Sequence, residues 1–549
     1  MTWDFSVAAA NAVAARNIDE AQRDVPTWLF SIALAGGVWY FFILVVQIIG
    51  FTQLYRHYSS KPKAAVSPTL QPDDVPHITI IRPVKGLEPQ LYECLASTLQ
   101  QSYPSSKLTV YFCVSSVDDP SYPVLQRLLA DFPLFDVKVF VEDEDPNLSG
   151  DGKSSNLGPN PKIRNMSRGY REAKGDLIWI IDCNIWVGKG VAGRMVDKLC
   201  GLRPNGQRTQ PYKFVHLLPL VVDSVGVSRN AESRGLLETE EAATHTSSNS
   251  SIDTILRTGG GRLEEMFMAS SHAKFYTAIN TVSVAPCIVG KSNMFRKSHL
   301  DALTNRDSPY SPGIDFFSEY ICEDHIIGDL LWRKKVPGHE EEGWKNHGLV
   351  FGDLAIQPMA NTSISSYIAR RVRWLRVRKW TVMLATFVEP GVEPLLCSAY
   401  GAFALTTLPY FPSIPSTWSA FFLCWLISIF CWQTLDYICY RKLHSGASVE
   451  LDADTPSFAR PLTQSQSSSR RPLGEWLLAW WGRELLALPI WCWAVYGGAT
   501  IVWRGKRFRV GMDMKAREFK DDVGRAKGIR EAEDGTGRGS RGSSKSRQD

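Results

Sequence analysis

Leu177-Ile178-Trp179-Ile180-Ile181-Asp182-Cys183-Asn184 is the stretch on which the reading of this chain turns. Its five apolar residues, rich in β-branched and aromatic side chains, read as a strand buried on both faces, as strands of parallel sheets are. The run then ends on a carboxylate. Three comparable runs precede it: Ile78-Thr79-Ile80-Ile81, Leu108 to Val114 and Val137 to Val141. Between them, Leu91 to Leu99, Tyr122 to Phe132 and Ile163 to Ala173 carry apolar residues at helical spacing. Strand and helix in alternation predict an α/β domain with a mostly parallel sheet and crossover helices. Ligands of open sheets bind beyond the carboxyl ends of the strands, where Asp119 and Asp182 fall.

This domain stands between apolar regions. The chain has 549 residues, 44% of them hydrophobic, yet a mean hydropathy of -0.13, so its apolar residues are concentrated. Residues 27–51 contain no charge and are long enough, at about 25 residues, to span a bilayer as a signal anchor. Arg56, His57, Lys61 and Lys63 follow the anchor, whereas Asp19, Glu20, Arg23 and Asp24 precede it. The excess of basic residues places 1–26 in the lumen and the large domain in the cytosol. The 11 cysteines are scattered without metal-ligand spacing, which suits reduced thiols.

A Pro/Ser/Lys-containing linker covers 52–76 and the cytosolic α/β domain 77–374. Within it, residues 224–261 lack the apolar side chains to build a core and read as a mobile insertion. Residues 305–313 and 338–348 read as shorter loops of that kind. Residues 375–388 read as an interfacial amphipathic helix and 395–440 as a membrane hairpin around Pro409, Pro412 and Pro415. A polar loop covers 441–473. Residues 476–503 are ambiguous, because Arg483 and Glu484 interrupt the apolar run and Pro489 breaks helices. A single crossing puts the tail in the lumen; Arg504, Lys506, Arg507 and Arg509 favour the cytosol. Residues 504–549 read as a basic, partly disordered tail. A net charge of +5 does not argue for nucleic acid, and the basic clusters at membrane edges suit lipid headgroups.

Four polar positions stand out, each with a plain structural alternative. Asp118-Asp119-Pro120 is also the composition of a turn and helix start. Asp182 would be costly in a dry core, and one carboxylate with diphosphate oxygens suits Mg2+ or Mn2+. Asp324, in Cys322-Glu323-Asp324-His325, is either a general base or a first-turn acid facing a helix dipole. Arg370-Arg371-Val372-Arg373-Trp374 is either a phosphate clamp or a stop-transfer cluster.

In their order and spacing, Asp119, Asp182, Asp324 and Arg370-x-x-Arg373-Trp374 resemble the D, D, D, (Q/R)xxRW series of membrane glycosyltransferases with the GT-A fold. The chain is most similar to the ceramide glucosyltransferase family, of a fungal or similar lineage. Arg82-Pro83-Val84-Lys85-Gly86, Asn160-Pro161-Lys162 and Gly290-Lys291-Ser292 support the resemblance. It implies that Lys85, Asp119, Lys162 and Asp182 bind UDP-glucose, with Asp182 also on a divalent cation. It implies further that Asp324 is the base on ceramide's primary hydroxyl, and that Arg370, Arg373 and Trp374 hold the leaving diphosphate and the acceptor. His272 resembles a histidine tied to activity, and reads equally as a packed side chain. Residues 263–276 and 370–383 would line a lipid entrance at headgroup level. Asn184 stands where many metal-dependent transferases carry a second carboxylate, which weakens the implied metal site. A Golgi membrane, or the endoplasmic reticulum, is the implied location. The rival readings are a processive polysaccharide synthase, which usually carries Gln at the position of Arg370 and needs more spans, and a non-catalytic membrane scaffold.

Overall fold

The structure is a computed structural model that describes residues 25–148, 157–224, 251–305, 308–338, 343–461 and 471–519. Seven strands form the main sheet: β1 Ile78–Pro83, β2 Leu108–Val114, β3 Asp136–Val141, β4 Leu177–Ile181, β5 Tyr212–Asp223, β6 Ser292–Arg296 and β7 Lys345–Met359. Their order is β3-β2-β1-β4-β6-β5-β7. β1 runs parallel to β2 and β4, while β6 is antiparallel to both β4 and β5. Every residue of β1, β2 and β4 is buried, as expected where helices cover both faces. The helices of this part of the chain are α1 Thr27–His57, α2 Leu91–Ala96, α3 Tyr122–Asp131, α4 Pro161–Arg171 and α5 Val191–Cys200, followed by α6 Ser251–Phe267, α7 Ala273–Val282, α8 Lys297–Thr304 and α9 Glu323–Arg333. This is the mixed α/β architecture of a GT-A glycosyltransferase domain. Asp182 follows β4 directly and Asp119 lies in the loop after β2, so both sit at carboxyl ends.

The C-terminal third differs most from the sequence reading. Helix α10, Ile364–Arg378, carries the Arg/Trp cluster in its interior, so no boundary falls at 374. α11 is Met383–Val388, α12 Pro394–Thr407 and α13 Trp418–Leu443. α1 and α13 are long and apolar enough to cross a membrane. α14, Leu473–Tyr496, is one continuous helix that carries Pro489 inside it. Arg483 and Glu484, which looked like an interruption, are buried in it and ion-paired, Arg483 to both Glu484 and Glu393. Neighbouring helices and this pairing supply what the proline and the charges cost an isolated helix.

Residues 500–518 form a second sheet, with β8 Thr500–Trp503, β9 Lys506–Val510 and β10 Ala516–Glu518 in the order β10-β9-β8. Of the region read as a basic, partly disordered tail, residues 506–510 and 516–518 thus form strands that the sequence reading did not assign; residues 520–549 lie outside the described residues. Arg504 and Gly505 join β8 to β9 with φ of 50° and 79°, a two-residue turn matching the strands' twist. The small sheet packs Ile501, Phe508, Val510 and Ala516 on Ile321 of the main domain. Ala516 N donates to Glu319 O at 2.7 Å, and Lys515 pairs with Glu319 at 2.6 Å. Residues 500–518 are thus docked on the same body as the main sheet.

Two loop readings also need correction. The insertion does not run to 261, since α6 begins at Ser251 and contains Gly259 to Gly261. Gly260 approaches the Ser363 carbonyl so closely that a Cβ would lie 2.1 Å from it, so these glycines serve helix packing. Residues 225–250 lie outside the described residues. The loop read at 338–348 gives way to β7 from Lys345.

Candidate active site

A cavity of 480 Å³ opens beyond the carboxyl ends of the strands. Its walls bring together Lys85, Lys162, Asp182, His272, Asp324, Arg370, Arg373 and Trp374 of the residues singled out from sequence. Asp119 is not in its wall. Its Oδ1 instead accepts from Gly86 N at 2.8 Å and from Ser121 N and Oγ at 3.0 and 2.7 Å, and Lys85 Nζ lies 3.5 Å from Oδ2. Asp119 thus ties down the loop that presents Lys85. Burial resists its ionisation, but the Ser121 and Gly86 hydrogen bonds and the Lys85 charge outweigh that, and its pKa falls below the ordinary carboxylate value.

The acid side of the cavity is built by two helix starts. Asn160 caps α4, accepting from Lys162 N and Ile163 N, with Pro161 pre-set for the first turn. The same amide donates from Nδ2 to Glu323 Oε2 at 3.2 Å, joining α4 to the first turn of α9. Lys162 Nζ lies 3.0 Å from Asp182 Oδ1 and 3.1 Å from Glu323 Oε1, while Lys291 Nζ lies 3.1 Å from Asp182 Oδ2. Burial opposes the charged form of Asp182, yet the two ammonium groups prevail and hold its pKa far below the ordinary value. The opposite holds for Glu323, whose burial raises its pKa despite Lys162. Asp324 is half-buried beside Gly290, where an added Cβ would stand 2.5 Å from Asp324 Oδ2. Gly290 is what leaves room for that carboxylate.

The basic side comes from α10. Arg370 pairs with the buried Glu264 at 3.3 Å and lies 4.8 Å over the Trp374 ring. Arg373 lines the cavity but forms no ion pair among the described residues. Burial and the neighbouring Arg370 lower its pKa to about 10. An unneutralised guanidinium in a partly buried wall is a site for an anion. His272 ends a π-helical turn, Met268–His272, and stacks on Tyr276. Burial, with Arg371 and Arg378 adding to it, lowers its pKa to about 3, so it is neutral at physiological pH; its Nδ1 has no hydrogen-bond partner among the described residues. That leaves a neutral imidazole with a free nitrogen between sheet and membrane helices.

Sequence reasoning missed Trp503 and Arg504, which line the cavity from the small sheet, and the ion pair that makes Lys291 part of the site. The signal for the first was present: alternating Lys506-Arg507-Phe508-Arg509-Val510 after an Arg-Gly turn is a hairpin pattern.

Comparison with known proteins agrees with this architecture. The model of the family described as glycosyl transferase family 21 matches residues 38–216 and 252–516, more than half of the chain and including the small sheet. Ceramide glucosyltransferase from Pyricularia oryzae is 56% identical over 92% of this chain and 98% of its own length. Its namesake from Candida albicans is 32% identical over 88% and 97%. Among solved structures, a mannosyltransferase from Pyrobaculum calidifontis in complex with GDP-Man and Mn2+ is 15% identical, with a TM-score of 0.37, over 75% of this chain and 97% of its own. With the family matched across both sheets and the membrane helices, the chain belongs to glycosyl transferase family 21, alongside the fungal ceramide glucosyltransferases.

Proposed function

We propose that the protein transfers glucose from UDP-glucose to the primary hydroxyl of ceramide with inversion, giving β-glucosylceramide. The observation that carries this reading is one cavity lined by both the Asp324 carboxylate and the Arg373 guanidinium, which forms no ion pair among the described residues. Asp324 takes the proton of the hydroxyl as its oxygen attacks the anomeric carbon. The bond from that carbon to the diphosphate oxygen breaks on the opposite face, and one displacement inverts the centre. UDP leaves with its charge facing Arg370 and Arg373. Lys85, held by Asp119, serves the nucleotide side, and Lys162 fixes the Asp182 and Glu323 carboxylates.

The family relatives from Pyricularia oryzae and Candida albicans are ceramide glucosyltransferases, which weighs against the polymer-synthase reading. A divalent cation fits these residues in a limited way. Asn184 Oδ1, two positions after Asp182, is buried with no hydrogen-bond partner among the described residues, whereas both Asp182 oxygens face lysine ammonium groups that a cation would have to displace. Among the described residues no three His, Cys, Asp or Glu side chains form a cage, so Asp182 and Asn184 would share Mg2+ or Mn2+ with the diphosphate. When bound, the ion supplies further countercharge to the leaving group. We place the enzyme at the Golgi or endoplasmic reticulum membrane with the main domain in the cytosol.

Purified full-length protein given UDP-glucose and ceramide should release UDP and form β-glucosylceramide in equal amounts. No sugar lipid from ceramide, or an α-linked one, would overturn the reading.

A further inference from the structure

A second cavity, of 330 Å³, lies between α10, the start of α12 and the C-terminal half of α14. It shares Phe267, Arg371 and Leu375 with the reaction cavity, so the two meet at a common wall. Its charged lining is paired internally, Arg371 with Glu389 at 3.4 Å and Arg483 with Glu393 and Glu484. What remains is hydrocarbon from residues such as Leu396, Ala487 and Ile490. Pro489, also in the wall, offers no N–H to the carbonyl one turn back, which loosens α14 at the point where the space opens.

The outer boundary of this space is apolar as well. Leu485 and Leu488 line it and are also 62% and 49% exposed, and Met383, Leu384 and Phe387 of α11 form exposed apolar surface next to it. The cavity therefore runs from an apolar exterior to the wall of the reaction cavity, with its charged lining groups ion-paired to one another. Pockets of this size and lining take apolar ligands.

We infer that this cavity holds one hydrocarbon chain of the acceptor lipid while the lipid's hydroxyl lies near Asp324, and that Ala487 and Leu396 limit the chain it admits. The inference rests on the proposed acceptor being a two-chain lipid. Each further methylene buried is favourable, so a chain seated here raises affinity with length until the space is filled. A chain that stays in the bilayer gains nothing from the protein as it lengthens.

The test uses the full chain in lipid nanodiscs, with one ceramide series varied in the N-acyl chain and another in the sphingoid chain. Ala487→Phe and, from the facing helix, Leu396→Phe should each lower the long-chain to short-chain ratio of kcat/KM about tenfold in one of the two series, as pocket-filling changes do. An unchanged ratio in both series, from variants whose thermal unfolding matches the parent, overturns the inference and leaves the transferase reading standing. Absence of glucosylceramide from the parent with every ceramide overturns both. Should a variant fail to fold, the parent is irradiated with ceramides carrying a photoreactive diazirine near one chain terminus. Labelling within 485–491 or 395–396 supports the inference, and labelling confined to other segments overturns it.

Discussion

At the residue scale the site depends on which carboxylates are paired and which is left for chemistry. Asp182 is gripped by two lysines, whereas Asp324 has none within ion-pair distance among the described residues and sits in space left by Gly290. Asp324→Asn should therefore lower kcat by about 10²- to 10⁴-fold, the usual worth of a general base, with UDP binding retained. Calorimetric UDP titration beside a turnover assay checks this, and near-parental kcat would remove Asp324 from the role. Gly290→Ala should also depress kcat by displacing the carboxylate, with little effect on KM for UDP-glucose. His272 makes a separate prediction about pH. Its folded pKa of about 3 lies below the unfolded value of about 6.5, so the unfolded chain binds the proton first. The stability it contributes is full above about pH 6.5 and is lost as pH falls towards 3. His272→Gln should flatten the decline of unfolding temperature with acidity over that window, and an unchanged slope would contradict the burial argument.

At the element scale the membrane helices and the catalytic domain are joined by close packing that sequence patterning only half discloses. Gly50 of α1 meets the backbone of α7, where a Cβ would lie 2.2 Å from the Lys274 carbonyl. Lys274 itself pairs with Asp436 of α13 at 2.6 Å, both fully buried, so one crossing ties three helices together. Gly50→Ala should destabilise the protein by about 1–3 kcal/mol through overpacking, read as a lower melting temperature in detergent. The strands and helices around Asp182 were legible because five buried apolar residues and helical periodicity are local signals. Helix α10 was misdivided at 374, since its arginines resemble a membrane stop until Glu264 and Glu389 are seen to pair with Arg370 and Arg371. Pro489 misled likewise, because its cost in a lone helix is borne here by packing on Tyr367 and Leu375 from α10. Tertiary context decided each of these, and no single-sequence pattern carries it.

At the scale of the whole molecule, the small sheet connects residues 500–518 to the segment just before α9. It rests on Ile321, two residues before Glu323, and on Val377 and Trp380 at the end of the Arg/Trp helix and just beyond it. Arg376 fastens it further, donating to the Thr500 and Gly497 carbonyls at 2.7 Å each. Composition hid this element, since a run of basic residues ahead of a Gly/Ser/Arg tail reads as solvated chain. The sheet brings Trp503 and Arg504 into the cavity wall, adding a guanidinium to a cavity proposed to hold a diphosphate. Arg504→Ala should raise KM for UDP-glucose about tenfold, the worth of one charge-assisted contact, and leave the dependence on ceramide unchanged. Phe508 is fully buried under the sheet and is absent from the cavity wall, so Phe508→Ala separates placement from charge. If the sheet's function is to hold Arg504 in place, both variants raise KM for UDP-glucose, and adding Phe508→Ala to Arg504→Ala costs little more than the first change alone. Fully additive effects on KM would instead mean that Phe508 acts through the main domain, and that Arg504 does not need the sheet to reach the donor.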